Sequence, residues 1–463
     1  MNKTAAFLII CLLPFVTLAQ EKKGLEFDDR QYMNSQSQAT LIRGVYTPLP
    51  DSASIKQFSP KPLSQRMDNT SAGWAAAYGA RTILEAKRRN ITDRFEIRKF
   101  SFSPVFNYYL AKPEKSQDCS VTVKLPDVLE SMKIYGVPKY MDFRKACPLS
   151  ISDEAFIKAA ENRIDDYFRL FSIEDDHDKK IQAVKRSLSK EVPVIIGMHI
   201  PKSFELVKDK FWVPTEQFSP DEQPGHAMVV VGYDDSKHSG AFEVMNSWGV
   251  DWGNKGFMWI PYKHFAEFTR YAFELFILSG SNPDAIDLAG KVEIPLLDGT
   301  KMDFILVDES RAYYKTVNYY GDNTEFRVLV SSMESAFVYI IGSDETEEIF
   351  PLFPDEGTSA VLPYKNSRVI LPGEDDDDYW EMDDVPGNGF LCVIFSKEEL
   401  WLKQIESDLI ALKGRPFIDK IQMTLKDKLV MPENIDFESG RISFEGKTKG
   451  KVLAAIIIEI QHN

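Results

Sequence analysis

Hydrophobic and polar positions follow a helical spacing through the first half of the chain. Apolar residues recur every three or four positions in four stretches, and alanine and long aliphatic residues are frequent in the first of them. The pattern predicts helices over residues 72–89, 126–135, 152–170 and 179–189. The first is the clearest of the four, because its residues also have high intrinsic helix propensity.

The spacing changes after Pro193, where short runs of branched and aromatic residues are separated by turn-forming residues. These runs predict strands over residues 194–200, 227–233, 242–246 and 256–260, with a hairpin turn at residues 237–240. Helices followed by an antiparallel sheet indicate a domain of the α+β class.

The pattern changes again near residue 280, and the Ser-Asn-Pro-Asp stretch at residues 281–284 is typical of a linker. Strand-like runs follow at residues 304–307, 326–330, 336–341, 368–371, 390–395 and 452–460, and only residues 397–412 have a helical pattern. We therefore predict a mainly β, sandwich-like domain over residues 285–463. Residues 374–384 within it carry eight carboxylates, and a solvated acidic loop is favoured over a calcium loop because EF-hand spacing is absent.

The first twenty residues have the layout of a secretory signal peptide. Lys3 supplies a positive charge, residues 6–16 form an apolar run, and residues 17–19 offer a small-residue cleavage site. The alternative is an uncleaved anchor. We predict a signal peptide over residues 1–19 and a secreted or periplasmic location. Residues 20–57 are expected to form an extended strap over the surface of the domain that follows.

Composition and charge narrow the classes of function. The 463 residues include 55 Lys and Arg and 70 Asp and Glu, which gives a formal net charge of -15 at pH 7. This balance argues against general nucleic-acid binding, because excess cations are needed to neutralise phosphates. In an oxidising compartment Cys119 and Cys147 form a plausible disulfide, and Cys392 is expected to be a buried strand thiol.

The most specific pattern lies between Gly225 and Tyr262, where the chain reads GHAMVVVGYDD and then NSWGVDWGNKGFMWIPY. A hairpin brings Asn246 back beside His226, and an asparagine amide can hold an imidazole in one orientation, as the third group of a triad does. The stretch resembles the C-terminal half of papain-like cysteine peptidases, in particular their secreted bacterial branch. The resemblance implies that His226 is the catalytic histidine, that Asn246 orients it and that Trp248 covers their contact.

The family's nucleophile is a cysteine at the start of a long helix, preceded by a glutamine that contributes to the oxyanion hole. In the matching stretch, residues 65–86, Gln65 has the place of the glutamine but no cysteine follows. Counting from Gln65 at the family's spacing puts Ser71 in the nucleophile position, whereas anchoring on Trp74 puts Gly73 there. Ser71 is the favoured register, and its other expected role is the N-cap of the helix.

The resemblance implies a two-lobed domain over residues 58–280, with a helical lobe and an antiparallel β lobe. The family's long helical inhibitory propeptide is not expected, because residues 20–57 are too few and too polar. The β domain weakly resembles small bacterial domains of unknown function attached to secreted peptidases.

A serine is poorly suited to a site built for sulfur. A hydroxyl is a much weaker acid than a thiol, so no ready-made ion pair with the histidine forms, and Asn246 cannot stabilise an imidazolium as an aspartate does. We therefore predict a papain-like homologue with lost or very weak peptide hydrolysis and a retained peptide-binding cleft. Its predicted site residues are Ser71, His226, Asn246 and Gln65.

Two alternatives stay open at this point. One is an active peptidase that uses Ser71, and the other is a non-enzymatic module for surface assembly or binding, which a closed cleft favours. The expected partner is a peptide or protein ligand, with a possible cell-surface partner for the C-terminal domain. No cofactor, metal, nucleic acid or membrane span is expected.

Overall fold

The computed structural model describes residues 24–39, 48–66, 68–113, 119–144, 150–278, 285–344, 346–373, 379–382 and 387–462. The predicted signal peptide, the linker at residues 281–284, Cys147 and most of the acidic stretch lie outside the described residues. Two units, with separate apolar cores, lie on either side of the predicted linker.

The first unit, residues 24–278, contains a nine-stranded sheet. Its strands are β1 (Leu25–Glu26), β2 (Ser52–Ser54), β3 (Val123–Lys124), β4 (Asp166–Arg169), β5 (Val194–His199), β6 (Gly225–Asp234), β7 (Ala241–Met245), β8 (Phe257–Pro261) and β9 (Thr269–Phe276). Six strands follow the order β3-β1-β6-β5-β9-β4, while β2 and β7 also pair with β6 and β8 pairs with β7. The predicted turn at residues 237–240 joins β6 to β7, with positive φ angles at His238, Ser239 and Gly240.

Helices cover this sheet and form a lobe of their own. They span Asp29–Asn34, Ser71–Gly73, Trp74–Arg81, Thr82–Arg88, Arg94–Phe100, Pro104–Ala111, Leu125–Ile134, Asp153–Ala160, His177–Ser189, Lys202–Leu206 and Tyr262–Phe268, with a 3-10 turn at Lys56–Phe58. The three stretches from Ser71 to Arg88 are continuous and are called the central helix below.

Two predictions of secondary structure in this unit were wrong. Residues 152–170 are not one helix, because a helix ends at Ala160 and Asp166–Arg169 pairs with β9, burying Phe168. The strap is not extended throughout, since Asp28 caps a short helix, Asp29–Asn34, by accepting the Gln31 amide hydrogen at 3.0 Å. An aspartate cap bonds to an amide only three residues away, and the helix that follows has six residues. A helix this short shows no repeating pattern of apolar residues in the sequence.

The central helix lies directly against strand β6. A Cβ built on Gly79 would lie 2.6 Å from Val229 Cγ2, so the absence of a side chain permits this close approach. Its middle stretch, Trp74–Arg81, is π-helical. The contact places the start of the central helix beside the beginning of β6.

The described residues of the second unit form two large packed sheets, a small two-stranded sheet and two helices. Its elements are β10 (Leu288–Glu293), β11 (Phe304–Asp308), β12 (Tyr313–Thr316), β13 (Glu325–Phe326), β14 (Val328–Ser332), β15 (Ala336–Ser343), β16 (Ile349–Phe353), β17 (Val361–Leu362), β18 (Ser367–Leu371), β19 (Trp380–Glu381), β20 (Asn388–Ser396), β21 (Ile435–Phe437), β22 (Ile442–Gly446), β23 (Leu453–Gln461), the helices Leu402–Ala411 and Phe417–Leu425, and 3-10 turns at Glu309–Arg311 and Pro432–Asn434. The five-stranded sheet has the order β18-β14-β10-β22-β21, the seven-stranded sheet has β11-β12-β23-β20-β15-β16 with β17 on β15, and β13 pairs with β19.

The seven-stranded sheet is buried on both faces. In β15, Val338 and Ile340 belong to the core shared with the five-stranded sheet. The alternating residues Phe337 and Tyr339 belong to a second cluster, which contains the two helices. The prediction of a single helix in this unit was wrong, because residues 417–425 form another that covers the same face.

The two units share an apolar contact. Phe168 and Phe276 of the first unit are buried in the cluster that contains Phe337 of the second, and the rings of Phe276 and Phe337 meet edge-on with centroids 5.6 Å apart. Across the same boundary Tyr364 donates to Glu274 at 2.7 Å and Ser359 donates to Asp166 at 3.1 Å.

The two cysteines within the described residues differ in their bonding state. Cys119 is disulfide-bonded, and its predicted partner Cys147 lies outside the described residues. Cys392 is a free, buried cysteine on β20, and burial raises the pKa of its thiol.

Within the described ranges, every helix is too short or too polar to cross a bilayer.

Candidate functional site

His226 and Asn246 meet at one end of the sheet. His226 is the second residue of β6, and Asn246 directly follows β7, so the antiparallel hairpin brings them together. The ring Nε2 and Asn246 Oδ1 are 2.7 Å apart, and the exposed fraction of the His226 side chain is 0%. The structure therefore brings these two predicted site residues together.

The same contact fixes the tautomer of the imidazole. Asn246 Oδ1 also accepts the backbone hydrogen of Ser247 at 2.7 Å, which identifies this atom as the amide oxygen. An oxygen acceptor requires a hydrogen on His226 Nε2, so the basic nitrogen of the neutral ring is Nδ1. The indole of Trp248 packs beside the imidazole with ring centroids 4.6 Å apart.

Ser71 begins the central helix and contacts the strand that carries His226. Its Oγ accepts the backbone hydrogen of Ala227, the residue after His226, at 3.2 Å. A Cβ built on Gly73, the other candidate, would lie 1.9 Å from the carbonyl oxygen of Pro104. The Gly73 position thus packs on the helix Pro104–Ala111, and Ser71 is the candidate that meets β6.

The proposed N-cap role of Ser71 was wrong. Thr70 occupies the N-cap position, and Ser71 is the first residue of the helix. The hydroxyl is therefore available for the contact with β6, at the helix end where the backbone dipole is positive.

Gln65 lies in the same buried region but has other partners. Its Oε1 accepts from the Ser247 hydroxyl at 2.5 Å, and its Nε2 donates to the carbonyl oxygen of Asp68 at 2.7 Å. The amide is thus tied to its own loop and to the residue after Asn246. Its hydrogen bonds within the described residues do not include one to Ser71.

The strap occupies the groove above Ser71. A Cβ built on Gly24 would lie 2.2 Å from Ser71 Oγ, and the Gly24 amide donates to Gly225 O at 3.3 Å. Leu25 pairs in parallel with Val123 of the helical lobe and in antiparallel with Gly225 of the β lobe. Strand β1 therefore bridges both lobes and leaves Ser71 with an exposed fraction of 0%.

Two side chains anchor this strand. Leu25 is buried beside Gly197, where an added Cβ would lie 2.7 Å from Leu25 Cδ2. The ring of Phe27 stacks on His199 with centroids 4.2 Å apart and meets Tyr271 edge-on at 5.0 Å. Sequence reasoning placed the strap on the surface and missed this contact; the alternating Leu25 and Phe27 after a glycine were the available signal.

Ion pairs continue the attachment beyond the strand. Asp28 pairs with Lys124 at 2.7 Å, and Asp29 pairs with Arg270 and accepts from the Tyr271 hydroxyl at 2.9 Å. The hydrogen bond from Arg270 holds the pKa of Asp29 below its usual range. The next helix buries Tyr32 completely, and its hydroxyl donates to Phe171 O at 2.7 Å.

Across the portion of the chain that the structure describes, His, Cys, Asp and Glu side chains form no group of three or more that could hold a metal ion. The arrangement instead consists of a histidine oriented by an amide, a buried hydroxyl at a helix start and a groove that accepts an extended backbone.

Comparison with known proteins shows what parts of this chain are similar to. A family model described as papain family cysteine protease matches residues 137–270, a range that includes His226 and Asn246 but begins after the central helix. An uncharacterized peptidase C1-like protein of Acanthamoeba polyphaga mimivirus is 28% identical over 213 residues, which are 41% of this chain and 66% of the viral protein. Cathepsin C of Schistosoma mansoni is 36% identical over 73 residues, 14% of this chain and 16% of that protein. The chain thus spans less than two thirds of the length of either relative.

Solved structures of cysteine proteases are also similar to the chain. Xylellain, a cysteine protease from Xylella fastidiosa, matches with a TM-score of 0.44 and 19% identity over 56% of this chain and 98% of that chain. Digestive procathepsin L 3 of Tenebrio molitor matches with a TM-score of 0.40 and 15% identity over 53% of this chain and 76% of that chain. Residues 137–270 thus match the papain family of cysteine proteases, and parts of the chain are similar to a peptidase C1-like protein and to a cathepsin.

Proposed function

We propose that this chain is an exported papain-like protein with lost or very weak peptide hydrolysis, whose cleft binds an extended peptide strand. In the state described, that strand is its own segment Gly24–Phe27, called the cleft strand below. The observation that carries the proposal is the position of Gly24 directly on Ser71, in a groove lined by both lobes.

The chemistry of the hydroxyl supports weak hydrolysis. A nucleophilic serine gives its hydrogen to the neighbouring base during attack, and that base is stabilised by a carboxylate in serine hydrolases. Here Ser71 Oγ accepts a hydrogen bond from Ala227, and the residue that orients His226 is the neutral Asn246.

The position of Gln65 supports the same conclusion. Oxyanion stabilisation requires a donor aimed at the developing negative charge, and loss of such a donor costs about 3–4 kcal/mol of transition-state stabilisation. The Gln65 amide nitrogen donates instead to the Asp68 carbonyl.

The cleft strand supports peptide binding. It adds to the edge of β6 through a backbone hydrogen bond, and alternate side chains enter apolar surroundings, which is how β-strand addition combines affinity with specificity. Two glycines leave room for it, because a Cβ on Gly225 would lie 2.8 Å from the Phe27 ring and one on Gly197 2.7 Å from Leu25.

A first experiment tests hydrolysis. The full chain and its Ser71→Ala variant are compared on fluorogenic peptides, and we expect no difference in turnover. Turnover that disappears in Ser71→Ala would show an active peptidase that uses Ser71, which is the opposite of this proposal.

A second experiment tests the cleft. A Ser71→Cys variant introduces a thiol, and its reaction with an epoxide probe is followed by intact mass. Adding Leu25→Lys places a charge where the side chain is buried, so the cleft strand should be released and labelling should accelerate. Glu26→Lys is the matched control, because the neighbouring Glu26 is exposed, and it should leave the labelling rate unchanged.

A non-enzymatic assembly module is the second candidate. The observation in its favour is that Ser71 and His226 are both fully buried, so the site is closed to external ligands in this state. If the Ser71→Cys thiol stays unreactive in the Leu25→Lys variant as well, the closed module is the better description.

Export is part of the proposal and rests on the sequence of residues 1–19. It is checked by measuring the mass of the protein recovered outside the cytoplasm, where we expect a mature chain that begins at Gln20. An intact Met1 on all recovered protein would contradict cleavage.

A further inference from the structure

The second unit contacts the strap beyond the cleft strand, at residues 37–39. After the helix Asp29–Asn34, residues Gln36–Ala39 pass between the two units. This segment is called the clamped segment below.

The clamped segment is hydrogen-bonded on both sides. Towards the first unit, Arg169 N–H donates to Gln36 O at 2.9 Å, and Gln38 N–H donates to Arg169 O at 3.2 Å. Towards the second unit, Ser37 N–H donates to Gly357 O at 2.8 Å, and Ser359 N–H donates to Ser37 O at 2.9 Å. Ser37 therefore lies in the middle of a three-stranded arrangement, with parallel bridges to Arg169 and Thr358.

The clamped segment also contributes a side chain to the apolar core of the second unit. Ala39 has an exposed fraction of 3% and belongs to the apolar cluster formed by both sheets of the second unit. It is thus held by the second unit through a side chain as well as through its backbone.

The partner surface on the second unit is itself fixed to the first unit. Ser359, which donates its amide hydrogen to Ser37, also donates its hydroxyl hydrogen to Asp166 on β4 at 3.1 Å. Nearby, Lys133 pairs with Asp166 at 2.9 Å and with Glu399 of the second unit at 2.7 Å. These contacts join the two sides of the clamped segment directly to each other.

We propose that the second unit serves as an intramolecular clamp, whose partner is the segment Gln36–Ala39 and whose effect is to keep the cleft strand in the groove. This inference rests on the proposed function, since it names how occupation of that cleft is maintained. A tethered strand has a high effective concentration at its site, and that concentration falls when the tether is loosened. The clamp therefore keeps the cleft closed to other peptides.

The test uses the full chain with Ser71→Cys and measures the rate of epoxide labelling. Ala39→Arg introduces a guanidinium into the core of the second unit and should loosen the clamped segment. Asn34→Arg is the matched control, because the same residue is introduced at an exposed position of the strap. We expect Ala39→Arg to accelerate labelling about tenfold, which corresponds to about 1.4 kcal/mol, and Asn34→Arg to leave the rate unchanged.

Ser37→Pro provides a second variant that adds no bulk to the core. It removes the amide hydrogen donated to Gly357 O and should also accelerate labelling. Hydrogen exchange supplies an independent readout, since exchange in residues 24–32 should rise while exchange in β23 stays at the level of the parent. If Ala39→Arg does not fold, Ser37→Pro decides the outcome.

The outcomes separate the two proposals. Unchanged labelling in Ala39→Arg and Ser37→Pro, together with accelerated labelling in Leu25→Lys, overturns the clamp and leaves the proposed function intact. Absence of labelling in Leu25→Lys as well overturns the proposed function.

Discussion

The hydroxyl of Ser71 accepts the backbone hydrogen of Ala227 at 3.2 Å, which joins the first residue of the central helix to the strand that carries His226. The bond crosses from the helical lobe to the β lobe beneath the cleft strand. In this arrangement the oxygen of Ser71 is an acceptor that links the two lobes, so the residue has a structural role whether or not it takes part in chemistry.

Ser71→Ala should therefore lower the free energy of unfolding. The Ala227 amide would lose its acceptor in a buried region, which costs about 1–3 kcal/mol. Urea denaturation measures the loss, and Ser310→Ala is the control because the Ser310 hydroxyl makes an exposed hydrogen bond to Asp308. Equal denaturation midpoints for Ser71→Ala and the parent would contradict a linking role.

Gly24→Ala should open the groove above Ser71. The new Cβ would lie 2.2 Å from Ser71 Oγ, so the cleft strand must shift, and overpacking of this kind costs about 1–3 kcal/mol. In the Ser71→Cys background we expect labelling by the epoxide probe to accelerate about tenfold. Gly321→Ala is the control, because a Cβ there would have no heavy atom within 4 Å. The same rate in both glycine variants would show that Gly24 does not cover the thiol.

The pairing of His226 with Asn246 could be predicted from the sequence because it depends on one hairpin. The turn at residues 237–240 sets the register of β6 and β7, and this register determines where the two side chains meet. The occupant of the groove could not be predicted in this way. Whether Gly24 lies on Ser71 depends on contacts between segments far apart in sequence, such as Leu25 with Val123 and Gly225.

Tertiary contacts that the local sequence does not reveal explain the incorrect predictions of secondary structure. Residues 166–169 have no strong preference within their own stretch, and pairing with β9 makes them a strand. The helix Phe417–Leu425 is amphipathic, but it is short and follows a proline, so its existence depends on packing of Ile421 and Leu425 in the second unit. In both cases tertiary contacts outweigh the local pattern.

Glu85→Ala should strongly destabilise the central helix and its surroundings. Glu85 pairs with Arg88 and Arg89 at 2.7 Å and with the buried Arg81 at 3.3 Å. Although burial opposes ionisation, these partners lower the pKa of Glu85 to about 2. Removal of the carboxylate leaves Arg81 without its partner, and we expect a loss of about 3–5 kcal/mol in urea denaturation at pH 7.

The matched control for Glu85→Ala is Glu96→Ala. Glu96 forms an exposed pair with Lys99 three residues along a neighbouring helix, and such surface pairs contribute about 0.2–1 kcal/mol. Because the folded pKa of Glu85 is lowered, its contribution is present above the usual pKa of a glutamate and is lost as the pH falls towards 2. Similar losses in the two variants would contradict a buried ion-pair network.

Asn246→Ala should release the imidazole of His226 from a single tautomer. With Asn246 Oδ1 as acceptor, the hydrogen lies on Nε2, and nitrogen chemical shifts of a histidine-labelled protein should show this tautomer in the neutral form. The variant should show a mixture of the two tautomers. In the Ser71→Cys Leu25→Lys background it should also lower the labelling rate, because the orientation of the ring is lost. A Nδ1–H tautomer in the parent would contradict the assignment.

Glu274 should make the stability of the chain depend on pH. Its carboxylate lies on β9 at the boundary of the two units and accepts from Tyr364 at 2.7 and 2.8 Å. Burial raises the pKa of Glu274 to about 7, against the opposing effects of the Ser187 and Tyr364 hydroxyls and the Lys87 ammonium. The folded state therefore holds a proton that the unfolded state releases near pH 4.5.

The direction of the pH dependence follows from the raised pKa of Glu274. The contribution of Glu274 is fully present below pH 4.5 and is lost as the pH rises to about 7, so the parent should lose about 2–3 kcal/mol across that range relative to Glu274→Gln. Urea denaturation at several pH values measures this difference. In Tyr364→Phe the carboxylate loses a donor, and the loss of stability should extend to higher pH. Parallel stability curves for the parent and Glu274→Gln would show that the carboxyl at the boundary of the two units does not titrate with folding.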